Sequence, residues 1–416
     1  MRTSRAARMA AVVSTVVGLM LVEPTAGGAE PGIDARQDGA WPTAFHAWTA
    51  KRDFARGAGE GVRPATVGDG AITLAAGATA GTWTSAWHTP RDAFTQLVPS
   101  WQTSTPSGSW VEIGLQVRTP TTESQWFFMG QWAADTSTIE RRSMDGQGDP
   151  VGRVFTDTFV ARSTAPGGPP AAYRLKITLH GTATVAPVVR QLGATTAAPG
   201  ELPSVSEPLS DRAVELRVPA YSQSTHSGEY PQFGGGGGVW CSPTSTAMVL
   251  SFWRTGPTAA DIAALPPDRV FDANGRVDGQ VDWAAVNTWD YVYEGAGNWP
   301  FNTAYASEYG LDGSVRQYST LRSVENWVRH GVPIVVSINW DNTDDDPTND
   351  LDGSSITGTD GHLMLVVGFT ADGDVIANDP ASPSNEAVRH VYRRDQFERN
   401  WLRASDGTSY VIYKVG

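Results

Sequence analysis

Cys241 is the single cysteine in 416 residues, and it stands where a nucleophile would be built. Five glycines, Gly234 to Gly238, lead into Val239-Trp240-Cys241-Ser242-Pro243, after which Ala247, Met248, Leu250 and Phe252 recur at helical spacing. Ser242 as N-cap and Pro243 as first helical residue predict a helix that opens directly after the thiol. The partial positive charge of a helix start favours thiolate over thiol, and thiolate is the species that attacks a carbonyl carbon. The competing reading is a buried structural cysteine, the usual fate of a lone one.

A cysteine nucleophile needs a base, and the base needs a group that orients it. Of seven histidines, His226, His330, His362 and His390 share the half of the chain that carries the thiol. His362 follows Gly361 and opens the apolar run Leu363 to Phe369, so a central strand can fix its ring at the mouth of a cleft. His330 closes a predicted helix, where the dipole favours it. His390 falls on an edge strand, and His226 on a loop expected to be mobile. Beyond a Gly turn, Val375-Ile376-Ala377-Asn378-Asp379-Pro380 returns the chain beside the His362 strand. Asp379, 17 positions after His362, can then bind the imidazole N–H and stabilise imidazolium. Asn378 points to the opposite face, so only one of the two can serve.

The elements that must position these residues divide the chain in two. From about 40 to 192, Trp110–Arg118 and Tyr173–Leu179 alternate with period two, and 71–75, 94–98, 125–131, 151–160 and 188–192 are further strand candidates between Gly/Pro turns. Many short strands of this kind predict an all-β sandwich over residues 30–192. Residues 193–212, rich in Pro, Ser and Gly, read as a linker. Over 213–416 a short strand at 214–218 is followed by helices at 243–254, 258–265, 281–289 and 320–330. Strands at 333–338, 363–369, 374–377 and 388–392, a helix at 394–402 and a strand at 409–415 complete an α+β domain.

Arg2, Arg5 and Arg8 precede an apolar run from Met9 to Val22, and Gly27-Gly28-Ala29 offers small residues for cleavage. Residues 1–29 therefore read as a signal peptide, and the protein as secreted into the extracellular space. A secreted chain with one cysteine cannot form an internal disulfide, and its free thiol has a task or is deeply buried. The net charge is −13, and removal of the leader makes it more acidic. Nucleic acid and an anionic membrane are thereby excluded as partners.

Taken in order, these segments carry a resemblance. Val218-Pro219-Ala220-Tyr221-Ser222-Gln223, Trp240-Cys241-Ser242-Pro243-Thr244-Ser245, Gly361 to Phe369 with Gly373 to Ala381, and Arg389 to Trp401 resemble the successive motifs of the Peptidase_C39-like family. These are papain-like cysteine peptidases related to the proteases that trim bacteriocin leaders. The resemblance covers about 214–416 and implies a papain-like fold, with Cys241 as nucleophile, His362 as base and Asp379 as orienter. It also implies an oxyanion glutamine. Gln223 matches the opening motif, while Gln232 lies nearer the thiol beside the glycines, and Gln223 is the expected donor. Ser242 replaces the glycine most often found after the cysteine. With no phosphate-binding Gly-rich loop and no membrane spans, leader trimming coupled to export is not expected.

The resulting expectation is a secreted thiol peptidase acting on a peptide or protein substrate, without metal or organic cofactor. Two rivals remain: a non-catalytic protein that binds a wall polymer or protein, and a thiol amidase acting on peptidoglycan. Eight of the sixteen tryptophans fall in the N-terminal part, where contact with a glycan or the cell wall competes with simple core packing as their role. Asp341, Asp344, Asp345, Asp346, Asp350 and Asp352 crowd one loop; their spacing departs from the EF-hand pattern, and a solvated acidic loop is expected.

Overall fold

The computed structural model describes residues 20–22, 40–65, 70–266 and 278–414. The expected signal peptide therefore lies outside the described residues except for Met20–Val22, a short strand paired in parallel with Val214–Leu216. Two sheets are built from residues 43–197 and one from the C-terminal half. In the first, of seven strands, Gln96–Ser104 lies between Thr158–Ala161 and Val188–Ala197. In the second, of five strands, Ala172–His180 lies between Ala80–Thr84 and Trp110–Arg118. Alternation does what the sequence predicts: Val111, Ile113, Leu115 and Val117 are buried, as are Leu175, Ile177 and Leu179 opposite them.

Gly193 to Ala197 belong to the end of the Val188–Ala197 strand, where they pair with Thr43–Trp48, so the connection begins five residues later than the composition implied. Gly193 is there because of close approach, not flexibility: a Cβ on it would press on Ala47 and His46. The connection itself is held. Ser206 N–H and Oγ both donate to Glu398, and Leu209 N–H donates to Glu325.

In the C-terminal half the sheet runs Val214–Leu216, Gly358–Phe369, Ile334–Asp341, Thr408–Tyr413, Asp312–Gln317, with Val375–Asn378 and Arg389–Tyr392 attached beside the Gly358–Phe369 strand. Helices Cys241–Phe252, Gly279–Thr288 and Trp299–Glu308 pack together, and Arg394–Ser405 lies against the Ile334–Asp341 strand. The Trp299–Glu308 helix and the Asp312–Gln317 strand were not foreseen. Both sit at the junction of the two halves, packed against the Gln96–Ser104 strand.

That junction is polar and buried. Arg141, fully buried, donates through Nη2 to Val286 O at 2.6 Å and through Nε to Trp289 O at 3.3 Å. It thus satisfies carbonyls at the C-terminal end of the Gly279–Thr288 helix, which have no partner within the helix. Burial pulls its guanidinium down to about 10 against nearby negative charges. Asp290, also buried, accepts Ser143 N–H at 3.1 Å, and Glu308 accepts Thr105 Oγ1 at 2.8 Å and Trp132 Nε1 at 3.1 Å.

Candidate active site

Cys241 is the first residue of its helix rather than the residue before it. Trp240 takes the N-cap position without a side-chain bond, and Ser242 Oγ instead meets Tyr410 OH at 2.9 Å. The helix is buried nearly all round, so tertiary packing, not a capping side chain, fixes where it starts. The thiol itself is half-buried.

His362 enters on the Gly358–Phe369 strand, 3% exposed. Its Nε2 lies 2.8 Å from Asp379 Oδ1. Asp379, at the end of Val375–Asn378, is itself held: Oδ1 accepts Ala381 N–H at 2.9 Å and Oδ2 accepts Tyr392 OH at 2.8 Å. Asn378 turns away, with Nδ2 toward Pro219 O and Met248 Sδ. Cys241 is near enough to the imidazole for the two groups to shift one another, the thiol downward and the ring upward. With Nε2 committed to the carboxylate, Nδ1 is the nitrogen left for the thiol.

The electrostatics follow from that chain. Burial opposes charge on every member. Against it, the charge and hydrogen bond of Asp379, with those of Cys241, raise the His362 imidazole to about 10. The hydrogen bond and positive charge of His362, helped by the Leu363 and Ser242 N–H groups, pull the Cys241 thiol below its ordinary value despite burial. Asp379 is also held low, by His362, Ala381 N–H and Tyr392. The three groups favour a thiolate–imidazolium pair backed by a carboxylate.

Gln223 begins a short 3-10 turn, Gln223–His226, and is 3% exposed, while Gln232 is exposed. Gln223 N–H donates to Pro380 O at 2.9 Å, one residue past Asp379, and Gly237 N–H donates to Gln223 O at 3.2 Å. Its side-chain Oε1 is buried without a protein partner. The glycine run, expected to be flexible, is folded against this turn. Gly236 has φ +61, and a Cβ there would overlap the His226 carbonyl oxygen. The glycines are needed for a tight left-handed path, not for motion.

His226, expected in a mobile loop, is 1% exposed and immobilised. Its Nδ1 lies 2.8 Å from both Glu229 Oε2 and Asp282 Oδ1, and Nε2 has no partner among the described residues. Burial alone would lower its pKa; the two carboxylates raise it to about 9. Donor atoms of these three residues lie within 4.8 Å of one another, close enough to suggest a cation site. However, both 2.8 Å separations are N–H···O distances, shorter than the roughly 3.3 Å between donors in a tetrahedral zinc site with bonds of about 2.0–2.1 Å. The acidic loop spends its carboxylates on itself: Asp341 accepts from Thr343, and Asp346 from Thr348.

Of the eight N-terminal tryptophans, Trp41, Trp48, Trp83, Trp101 and Trp132 are core. Other side chains cover the remaining ring faces: Arg118 and Arg174 lie over Trp87, Arg174 and Lys176 over Trp126, and the His180 ring stacks on Trp110. Sequence reasoning missed Tyr392 and the Leu363 N–H. Tyr392 sits on the edge-strand candidate, but nothing in its spacing announced a bond to Asp379. No helix among the described residues is long and apolar enough to cross a membrane.

Comparisons with known proteins match two separate segments of the chain. Residues 215–409 match the Peptidase_C39 like family, and residues 44–197 match the Peptidase C39 N-terminal domain. No curated protein matches. Among the solved structures, seven chains match, one of them the crystal structure described as a C39-like peptidase from Bacillus anthracis. It is 15% identical, spans 48% of this chain and 96% of its own, and has a TM-score of 0.28, too low to bear weight.

Proposed function

The C-terminal half of the chain belongs to the Peptidase_C39 like family, and on that premise we propose that the protein is a secreted, papain-like thiol peptidase whose N-terminal half is a β-sandwich. Cys241 thiolate attacks the scissile carbonyl carbon, and the carbon–nitrogen bond breaks as His362 gives its proton to the departing amine. His362 then takes a proton from water, which attacks the thioester and releases the acid. Asp379 keeps the imidazole in the tautomer that faces the thiol, and Tyr392 keeps Asp379 in place. The Gln223 amide and the Cys241 backbone N–H are the groups assigned to the oxyanion. The substrate is a peptide or protein. Trp87, Trp110 and Trp126 already carry side-chain partners on a ring face, which disfavours a glycan role for them.

The observation that carries this reading is an imidazole joined at 2.8 Å to a buried carboxylate and electrostatically coupled to the only thiol of the chain. An activity-directed thiol probe tests it. Cys241 should be labelled at pH 6–7, His362→Ala should suppress labelling, and the intact chain should cleave members of a peptide library. Absence of labelling would favour a binding protein, and labelling with amidase but no peptidase turnover a peptidoglycan amidase. N-terminal sequencing of exported protein, with Glu30 expected first, tests the leader.

A further inference from the structure

A second feature lies beside the candidate site and is built by both halves of the chain. A cavity of about 330 Å³ is lined by Phe155 and Asp157 from the N-terminal half and by Tyr293, Trp299, Gln317 and Asp406 from the C-terminal half. That volume is within the range of small-ligand sites, about 300–1,000 Å³. Its position follows from two helices. Thr246 Oγ1 donates to Asn302 Oδ1 at 3.1 Å near their starts, and Thr255 Oγ1 donates to Tyr309 O at 3.2 Å just past their ends. The Cys241–Phe252 and Trp299–Glu308 helices therefore run parallel, with both N-termini at one end. At about 1.5 Å per residue, Cys241 lies roughly 7 Å and Trp299 roughly 4–5 Å before those matched positions, on axes about 8–10 Å apart. Asp157 Oδ2 accepts the Trp299 N–H at 2.8 Å. Asp157 is thus on the nucleophile's side of the molecule, level with the start of its helix and roughly 8–10 Å to one side of it. Tyr293, on the cavity wall, is raised first by burial and then by the negative charges of Asp157, Cys241 and Asp290.

The chemistry of the cavity is one-sided. Asp157 is 7% exposed, and burial pushes it up to about 6 against its bonds to Trp299 N–H and Thr158. Asp406, also raised by burial, accepts Gln96 Nε2 at 2.6 Å. Neither carboxylate is ion-paired with a lysine, arginine or histidine among the described residues. The helix start facing Asp157 offers at most about half a positive charge. Arg153 rests on Phe155, its guanidinium 4.4 Å from the ring centroid, and has no ion pair with either carboxylate. Aromatic walls with two acidic groups behind them fit a long aliphatic stem ending in a cation.

We propose that this interdomain pocket receives a lysine or arginine side chain of the substrate near the scissile bond, with Asp157 of the N-terminal half as the specificity-determining residue. The proposal rests on the thiol-peptidase reading for its substrate class. Titration calorimetry on the full-length Cys241→Ser protein tests it, using peptide pairs that differ only by lysine or norleucine at one position at a time. At one position the lysine peptide should bind at least about tenfold tighter. Asp157→Asn should erase that preference and leave norleucine binding unchanged, the latter also showing that the variant is folded. Gln96→Lys, which sets a resident ammonium beside Asp406 without touching Asp157, should erase it too. Equal binding of lysine and norleucine at every position, or a preference that survives both variants, overturns the proposal. Hydrolysis of the same peptides by the unaltered chain separates the two readings. Lysine-selective binding without hydrolysis rejects the peptidase and leaves the pocket. Hydrolysis without lysine selectivity rejects the pocket alone.

Discussion

The chain builds two buried histidine–carboxylate assemblies from the same ingredients, and only one has a nucleophile. His362 meets one carboxylate, Asp379, and its other side meets the Cys241 thiol. His226 meets two carboxylates, Glu229 and Asp282, and its remaining nitrogen has no partner. Both imidazoles are raised despite burial. A raised, buried histidine is therefore no guide to chemistry here; what faces the second ring nitrogen decides. The two-carboxylate assembly suits holding a loop, since it ties the turn that carries Gln223 to the Gly279–Thr288 helix. The one-carboxylate assembly leaves a nitrogen to exchange protons.

Substitutions sharpen the contrast. His362→Ala should lower kcat by about 10⁴–10⁶ in a peptide-cleavage assay, as expected when a base acts as a unit with its nucleophile, with some loss of stability as well, since buried Asp379 loses its partner. His226→Ala should act mainly on stability, costing about 3–5 kcal/mol in denaturant unfolding because two carboxylates lose their buried cation. A His226 variant that is as stable as the parent yet inactive would dissolve the distinction.

Gln223→Ala should lose about 10²–10³ in kcat with iodoacetamide alkylation of Cys241 nearly unchanged, whereas Gln232→Ala, at an exposed position, should be mild. The opposite ranking would assign the oxyanion role to the glycine loop.

The pH response separates the pair again. His226 is raised to about 9 from an ordinary 6.5, so its stabilising contribution is complete below about pH 6.5 and is lost as pH rises through about 9. The gap in stability between wild type and His226→Ala, followed by thermal melting from pH 6 to 10, should narrow over that interval. The smallest effect expected is for Tyr392→Phe. It removes one hydrogen bond to Asp379, worth about 0.5–1.5 kcal/mol, and should reduce kcat by no more than roughly tenfold.

The sequence exposed the parts of the site that chemistry constrains by type: a lone thiol, a histidine opening an apolar run and an aspartate one hairpin away. It also exposed strands whose two faces differ, such as Trp110–Arg118, observed over the same residues. It hid elements whose surroundings are uniform. The Trp299–Glu308 helix is buried on almost every side and includes Asn302, Thr303 and Ser307, so no apolar stripe marks it. Asn298 and Pro300 at its start were the available signal. The acidic pocket was invisible for a different reason: Asp157 and Asp406 are 249 positions apart and meet only through the junction of the two halves.

Arg141 also sets an order of events during synthesis. Its acceptors Val286 and Trp289 leave the ribosome some 145 residues after it, about 7–30 s later at 5–20 residues per second. Throughout that interval a guanidinium destined for a dry interior has no native acceptor from the later half. The early half of the polypeptide therefore emerges with an unfinished face, and its maturation waits on the arrival of the later half. A domain exchanged from another protein would have to bring not only a matching outline but a cation at this one position.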